Sequence, residues 1–400
     1  MIAAGKDNYQ QVSGILKAAK GEDIVDVCGG LAFSLALTRS GRLLVAGEDA
    51  KEFASLLKAA DGRKITAVSA RLAHALALTD TGELLAGGSN GEYECSEILD
   101  HARGKKIVSI AAGTDHSLAL TDTGELLAGG SNGYGEVSGI RKAAHGKNIS
   151  FIHAARSGSF AITSDGHLLY EGANHYRIGA FKQLDGSLVA IADSEIITLA
   201  LTRDGTLHAA GAEGFTDAPA KLQAQLAGRR VAAITAGLLH VLAITEDHGL
   251  VGTGRDKESQ VSGIISAASG KRITAAAGGR NHSLAVATPQ PSQATGHTVQ
   301  ATFTRTQHPD HPLTLHLRRG TTTHATLTTG AAPTTFTAPA GEPIQVIVGG
   351  LPQPPAPGAL YLTYDPATDT TTLNTGATQL PPPLTCTNPA PNHLTFTWNA

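Results

Sequence analysis

A chain of 400 residues with a formal net charge of -3 and 16% charged residues has no overall field that would draw it to nucleic acid or to an anionic membrane. Its three cysteines, Cys28, Cys95 and Cys386, are too far apart in sequence for a disulfide framework or a zinc-type spacing. No apolar run has the length of a membrane span or a signal peptide, so a cytoplasmic setting is expected, or a secreted one if a leader has been removed.

From the N-terminus to about residue 287 one unit recurs, seen best in residues 105–140, KKIVSIAAGTDHSLALTDTGELLAGGSNGYGEVSGI. The first apolar residue of each copy is Ile24, Ile65, Ile107, Ile149, Leu188, Val231 and Ile273, with spacings of 41, 42, 42, 39, 43 and 42. That period belongs to propeller-type repeats, and there are seven copies. Within a copy the alternation predicts strands over 107–112, 117–121 and 125–129, with a short fourth at 136–138. Asp122-Thr123-Gly124 is the hairpin turn between the second and third strands, and equivalent turns stand at 39–41, 80–82, 164–166 and 203–205. Ala and Gly dominate the first strand, as an innermost strand near a crowded axis requires. Residues 1–15 align without a gap on 126–140, the back half of a repeat, whereas the last copy stops at Thr288-Pro289. The N-terminal strands are therefore expected to complete the final blade, so that the ring has no exposed edge. This predicts an all-β fold, a seven-bladed β-propeller over residues 1–287.

These residues resemble a known family. Ala-Ala-Gly, His-Ser-Leu-Ala-Leu-Thr, Gly-Glu-Leu-Leu-Ala-Gly-Gly and the loop from Asn132 to Val137 are similar to the repeats of the regulator of chromosome condensation family, seven-bladed propellers, in their compact bacterial form. The resemblance covers residues 1–287. It departs where the family has Trp before the Gly of the third strand: Ala46, Ala86, Ala128 and Glu171 stand there. The usual Gly-Gln-Leu-Gly is Gly135-Glu136-Val137-Ser138.

Residues 288–298, rich in Pro, Gln and Ser, read as a linker. The Thr- and Pro-rich segment 299–400 has strand-like runs at 300–304, 313–317, 343–348, 360–364, 370–373 and 393–398, with a hairpin loop at 365–369. A small β-sandwich-like domain is expected, with a partly disordered stalk as the alternative.

Strand order puts the first-to-second and third-to-fourth loops on one face of the ring, and the second-to-third turns and blade connections on the other. The turn face repeats a cationic pair (Arg63-Lys64, Lys105-Lys106, Arg229-Arg230, Lys271-Arg272), and acidic turns on the same face are expected to neutralise it in part. On the loop face Tyr9, Tyr134, Tyr176 and Phe215 occupy equivalent positions, with Tyr93 one residue off, in a chain with only 4% aromatics. Beside them the first-to-second loops vary and supply Arg71, Asp115, Arg156, Glu195 and Arg280. Aromatic rims and varied loops on a constant scaffold suit protein recognition; the competing reading packs the aromatics against the next blade.

His74, His116, His240 and His282 share one repeat position, which marks a structural hydrogen-bonding residue rather than a catalyst. His308, Asp310, His311 and His316 have metal-ligand chemistry, but Pro309 and Pro312 interrupt them and a polar loop is the simpler reading. No metal, cofactor or catalytic residue is expected. The chain reads as a non-enzymatic scaffold that binds a protein partner through the loop face, monomeric, with no role for membrane or nucleic acid. The resemblance implies two alternatives: a guanine-nucleotide exchange factor-like regulator of a small GTPase, and an enzyme inhibitor similar to the propellers that inhibit β-lactamases.

Overall fold

The computed structural model describes residues 1–173 and 178–289, apart from the side chains of 49 and 50, and beyond them the backbone of the strands between residues 297 and 398. Two compact units divide the chain, Met1–Pro289 and Gln290–Ala400. The strand His282–Pro289 continues into the stretch expected as linker, because Pro289 still pairs with Lys271.

The described residues of the first unit form seven three-stranded antiparallel sheets. In the third repeat the strands are Ile107–Ala112, His116–Thr121 and Leu126–Gly130, with the second strand central. That strand lies inside its sheet and between neighbouring blades, which accounts for its apolar run: Leu118 and Ala119 are fully buried. Thr121 ends it by accepting the Glu125 N–H on Oγ1 at 3.0 Å, and Gly124 supplies the positive φ of the turn, +84°. Each first strand is irregular at one equivalent place, between Ile24 and Asp26 or Ile107 and Ser109 for example. A bulge there adds local twist.

The expected fourth strand at 136–138 is replaced by a helix, Ser138–Ala144. Val137, Ile140 and Ala144 are spaced by three and four, so a helix buries all three on one face, whereas a strand would divide them between two. Asn132 fixes the start: its Oδ1 accepts the Val137 and Ser138 N–H groups at 3.1 and 2.9 Å. Each helix packs on the third strand of the next repeat. A Cβ on Gly129 would lie 2.7 Å from the Ile98 nitrogen of the preceding repeat's helix, Ser96–Ala102, so only glycine permits this approach. The counterparts are Ser13–Ala18, Ala54–Ala60, Ala218–Leu226 and Ser262–Ala268, with a 3₁₀ helix at Ile178–Leu184.

At the N-terminus Ile2–Gly5 pairs antiparallel with His282–Pro289 and supplies the third strand of the seventh sheet. The helix Ser13–Ala18 follows it, so one strand and one helix stand where strands alone were expected. The seventh and first repeats touch directly, through the Arg280 N–H donating to the Gly30 carbonyl at 3.0 Å and His282 Nε2 bonded to Ser34 Oγ at 3.0 Å.

That last bond is one of a set. His74 bonds Ser117 at 2.9 Å, His116 bonds Ser159 at 3.0 Å and His240 bonds Ser283 at 2.8 Å. In each pair the histidine of one repeat reaches the second strand of the next, and both residues are fully buried. Burial holds these imidazoles neutral, with pKa lowered to about 4, 3, 4 and 4 for His74, His116, His240 and His282.

Among the described residues of the second unit, the strands form two sheets. One orders Thr334–Ala338, His297–Arg305, His393–Trp398 and Leu384–Ala390, with a parallel central pair. The other orders Thr322–Thr328, Thr314–Arg319, Ile344–Gly349, Leu360–Asp365 and Thr370–Thr375. The six expected strands are present, and three Thr-rich ones join them. The loop holding His308, Asp310 and His311 lies outside the described residues, as does the side chain of His316. No helix among the described residues is long and apolar enough to cross a membrane.

Candidate functional site

The first strands of all seven repeats line one axial cavity of about 220 Å³. Small residues such as Ala112, Ala236 and Gly279 make most of its wall, and Arg71, His153 and Arg280 are the large polar exceptions. Arg71 comes from the second repeat and reaches Asp193 in the fifth: Nη1 donates to the Asp193 carbonyl at 3.3 Å and Nη2 lies 3.6 Å from Oδ2. His153 of the fourth repeat donates from Nε2 to Asp193 Oδ1 at 2.5 Å. Burial alone would push the Asp193 carboxyl up, but Arg71 and His153 outweigh it and hold the group below its usual range. The three residues form an ionic strut joining repeats two, four and five. Arg71 is therefore committed inward, its side chain only 11% exposed, although the sequence places it on the binding face.

The loop face holds the exposed aromatics. Tyr93 and Tyr134 are 68% and 66% exposed and Tyr9 is 42% exposed. Their loops are rigid for a reason repeated from blade to blade. Asp7, Asn90, Asn132 and Asp256 each accept two backbone N–H groups at the start of the following helix. Two residues before the helix, Glu94 and Glu136, like Gln11 and Gln260, turn back to accept a loop N–H, that of Tyr134 on Glu136 at 2.7 Å. Tyr93 occupies the next position, a left-handed one with φ +64°, where Gln10, Gly135 and Ser259 stand in other repeats. Phe215 is half-buried against the core of repeats five and six, so at this position packing accounts for the aromatic. Tyr176 lies outside the described residues.

Asp115 is half-buried beside the Tyr134 loop, its carbonyl accepting the Ser131 N–H at 2.8 Å. Its carboxyl is raised by burial and by the carboxylates of Glu94 and Glu92. Arg156 and Glu195 pair with each other at 2.8 Å. Arg280 is exposed at the mouth of the axial cavity. Main-chain bonds tie the first-to-second loops to one another, Leu31 to Leu72, Thr114 to Ala155, Glu195 to Leu238 and Leu238 to Gly279, so this face is pre-organised.

The turn face is partly self-paired. Arg63 meets Glu83 at 2.6 Å, Lys105 meets Glu125 at 2.9 Å, Arg39 meets Asp23 at 2.6 Å, and Arg229 and Arg230 meet Asp247 and Glu246 at 3.6 and 3.8 Å. At Cys28 and Cys95 thiol chemistry is disfavoured as well, because burial pushes Cys95 up to about 12 and Cys28 well above its ordinary value.

Sequence reasoning missed Asp193, His153 and the Ser partners of the histidines. Only the last left a signal, since a repeat with His at that position is followed by one with Ser at the next.

Small-residue strands lining one axis, a central strand buried in each of seven sheets and loops gathered on one face define a seven-bladed β-propeller. Residues 107–136 match the family described as Regulator of chromosome condensation (RCC1) repeat. Among solved structures the chain is similar to human WBSCR16, with 18% identity, 68% of this chain and 88% of that one covered, and a TM-score of 0.56. It is also similar to Prp20p from Saccharomyces cerevisiae, with 17% identity, 68% and 84% covered, and a TM-score of 0.54. The same yeast protein bound to Kap60 gives 16% identity, 68% and 81% covered, and a TM-score of 0.52. No curated protein matches in sequence. The likeness to these structures shows the fold, a β-propeller, and residues 107–136 are similar to one RCC1 repeat.

Proposed function

We propose that this protein is a non-enzymatic interaction module that binds a protein partner through the loop face of its propeller. The observation that carries this reading is the exposure of Tyr9, Tyr93 and Tyr134 at the tips of equivalent, backbone-clamped loops. Rigid aromatic side chains presented at little entropic cost are what interface hot spots use. On the turn face Arg63, Lys105, Arg229 and Arg230 are each paired with an acidic residue of that face, which favours the loop face. Prp20p, similar in fold, is described with binding to Gsp1p and histones, and in complex with Kap60; a protein partner is the class of ligand that suits this chain too.

Regulation of a small GTPase is a narrower version of the same reading. The short loops between strands, such as residues 113–115 between Ile107–Ala112 and His116–Thr121, lack an insertion large enough to act as an exchange wedge, so we rank it below general protein binding. Inhibition of an enzyme by the same face is another version, distinguished only by the identity of the partner.

The test is affinity capture from source-cell lysate with the full chain and with a Tyr9→Ala/Tyr93→Ala/Tyr134→Ala variant whose melting temperature stays within about 3 °C of wild type. A protein held by the wild type and lost by the variant supports the reading. Equal capture by both overturns it.

A further inference from the structure

We propose that the sector of the loop face around Tyr93 and Tyr134 receives a lysine or arginine side chain from the protein partner. This inference rests on the loop face being the binding surface and names the chemistry that the surface selects.

Tyr93 and Tyr134 are the two most exposed large hydrophobic side chains of the propeller's described residues, and their loops belong to adjacent repeats that touch. The Gly130 N–H donates to Glu97 Oε2 at 2.8 Å. A Cβ on Gly130 would meet both the Asp115 carbonyl, at 2.6 Å, and the Glu94 Cα, at 3.1 Å. These adjoining loops thus carry two exposed tyrosines together with the exposed Glu92, the half-buried Asp115 and the buried Glu94 and Glu136.

Among the described residues, no unpaired cation lies in these two loops. The loops SNGEYECS, 89–96, and SNGYGEVS, 131–138, contain no Lys or Arg, and the neighbouring Arg156 is engaged by Glu195 at 2.8 Å. Two other loops of the face differ: the Tyr9 loop carries Lys6, and the loop of the sixth repeat carries Arg255 and Lys257. The Asp115 carboxyl is raised first by burial and then by Glu94 and Glu92, with Arg156 opposing them only in part. Exposed aromatic faces beside unneutralised carboxylates are complementary to an ammonium or guanidinium group, which gains cation–π attraction from the rings and charge-assisted hydrogen bonds from the acids. Neither an apolar nor an acidic side chain meets that chemistry.

The probe is a fluorescein-labelled ten-residue peptide alternating Gly and Arg, with a Gly–Glu peptide as control, and binding to the full chain is read by anisotropy at low salt. The Arg peptide should bind and the Glu peptide should not. Glu92→Gln/Asp115→Asn and, separately, Tyr93→Ala/Tyr134→Ala should each weaken the Arg peptide at least 10-fold. A matched loss of two charges on the turn face, Asp122→Asn/Glu125→Gln, should change its affinity less than 2-fold. No binding of the Arg peptide, or equal weakening by the turn-face variant, overturns the proposal. The lysate capture separates the two levels. If the tyrosine variant still captures every protein, the loop-face reading itself fails. If a tyrosine-dependent protein is captured equally well by Glu92→Gln/Asp115→Asn, only the cationic preference fails.

Discussion

The His116–Ser159 pair tests whether the repeats are joined by specific hydrogen bonds or by apolar packing alone. Both residues are fully buried and the bond is 3.0 Å long. Ser159→Ala leaves a neutral imidazole nitrogen without its partner, and an orphaned buried polar group costs about 1–3 kcal/mol. For a unit of this size that lowers the melting temperature by roughly 2–6 °C. His116→Phe leaves the Ser159 hydroxyl orphaned instead and should cost a similar amount.

The double variant His116→Phe/Ser159→Ala should be more stable than the sum of the single effects by about 1–2 kcal/mol. The protein already contains this solution, because Phe33 and Ala75 occupy the same two positions between the first and second repeats, both fully buried in one cluster. Gly113 lies against the His116 ring as Gly30 lies against that of Phe33, so the larger ring has room. Melting should be followed by far-UV circular dichroism, since the single tryptophan, Trp398, belongs to the second unit. A double variant no more stable than the sum of the singles would refute the claim that the pair acts as a unit.

Acid should weaken the propeller through the same histidines. Their folded pKa values, about 4, 3, 4 and 4, lie below the unfolded value of about 6.5. The unfolded chain therefore binds protons first, and stability, complete above about pH 6.5, is lost as pH falls towards 4, by up to roughly 5 kcal/mol per pH unit for four sites. Denaturant midpoints measured across pH 7 to 4 should show this slope, and the double variant above should reduce it by about a quarter. Asp26 acts in the opposite direction: burial raises its carboxyl to about 6, so it opposes folding as pH rises from about 4 to 6. Asp26→Asn should raise the denaturant midpoint at pH 7 and leave it unchanged below about pH 4. Arg71→Met removes the cation facing Asp193, a fully buried carboxylate, and should cost about 3–5 kcal/mol; adding Asp193→Asn should recover part of that loss in the same assay.

The strands were legible because their period recurs: the first apolar residues from Ile24 to Ile273 lie on seven consecutive first strands. The helices were not read, because Ser138–Ala144 spans barely two turns and Glu136-Val137-Ser138 alone has the look of a strand, although the three-and-four spacing of Val137, Ile140 and Ala144 was there. In the second unit, Thr322–Thr328 and Thr334–Ala338 escaped notice because Thr marks strands and polar loops alike. On the loop face the sequence located the aromatics and could not separate exposure from packing. Tyr134 points out and Phe215 packs in, a difference that depends on the neighbouring blade. Arg71 left a different trace, standing where Gly30, Gly113, Gly237 and Gly279 stand in other repeats. Its partner Asp193 is 122 residues away, beyond the reach of any local pattern.

The interblade pairs bear on how seven similar repeats assemble in one order. Repeats two, three, six and seven offer a histidine to the next blade, and repeats three, four, seven and one present the serine that receives it. Repeats one and five offer Phe33 and Ile197, and they meet Ala75 and Val241. A histidine facing Ala75 would lack a partner, and Phe33 facing Ser117 would orphan a hydroxyl, so a blade docked out of turn incurs the cost of a buried unsatisfied group at its interface. Positions of the second strand thus separate the His–Ser interfaces from the apolar ones. The loops that carry Tyr93, Tyr134 and Asp115 take no part in those pairs, which leaves the loop face free to change residue by residue while the ring beneath it stays in register.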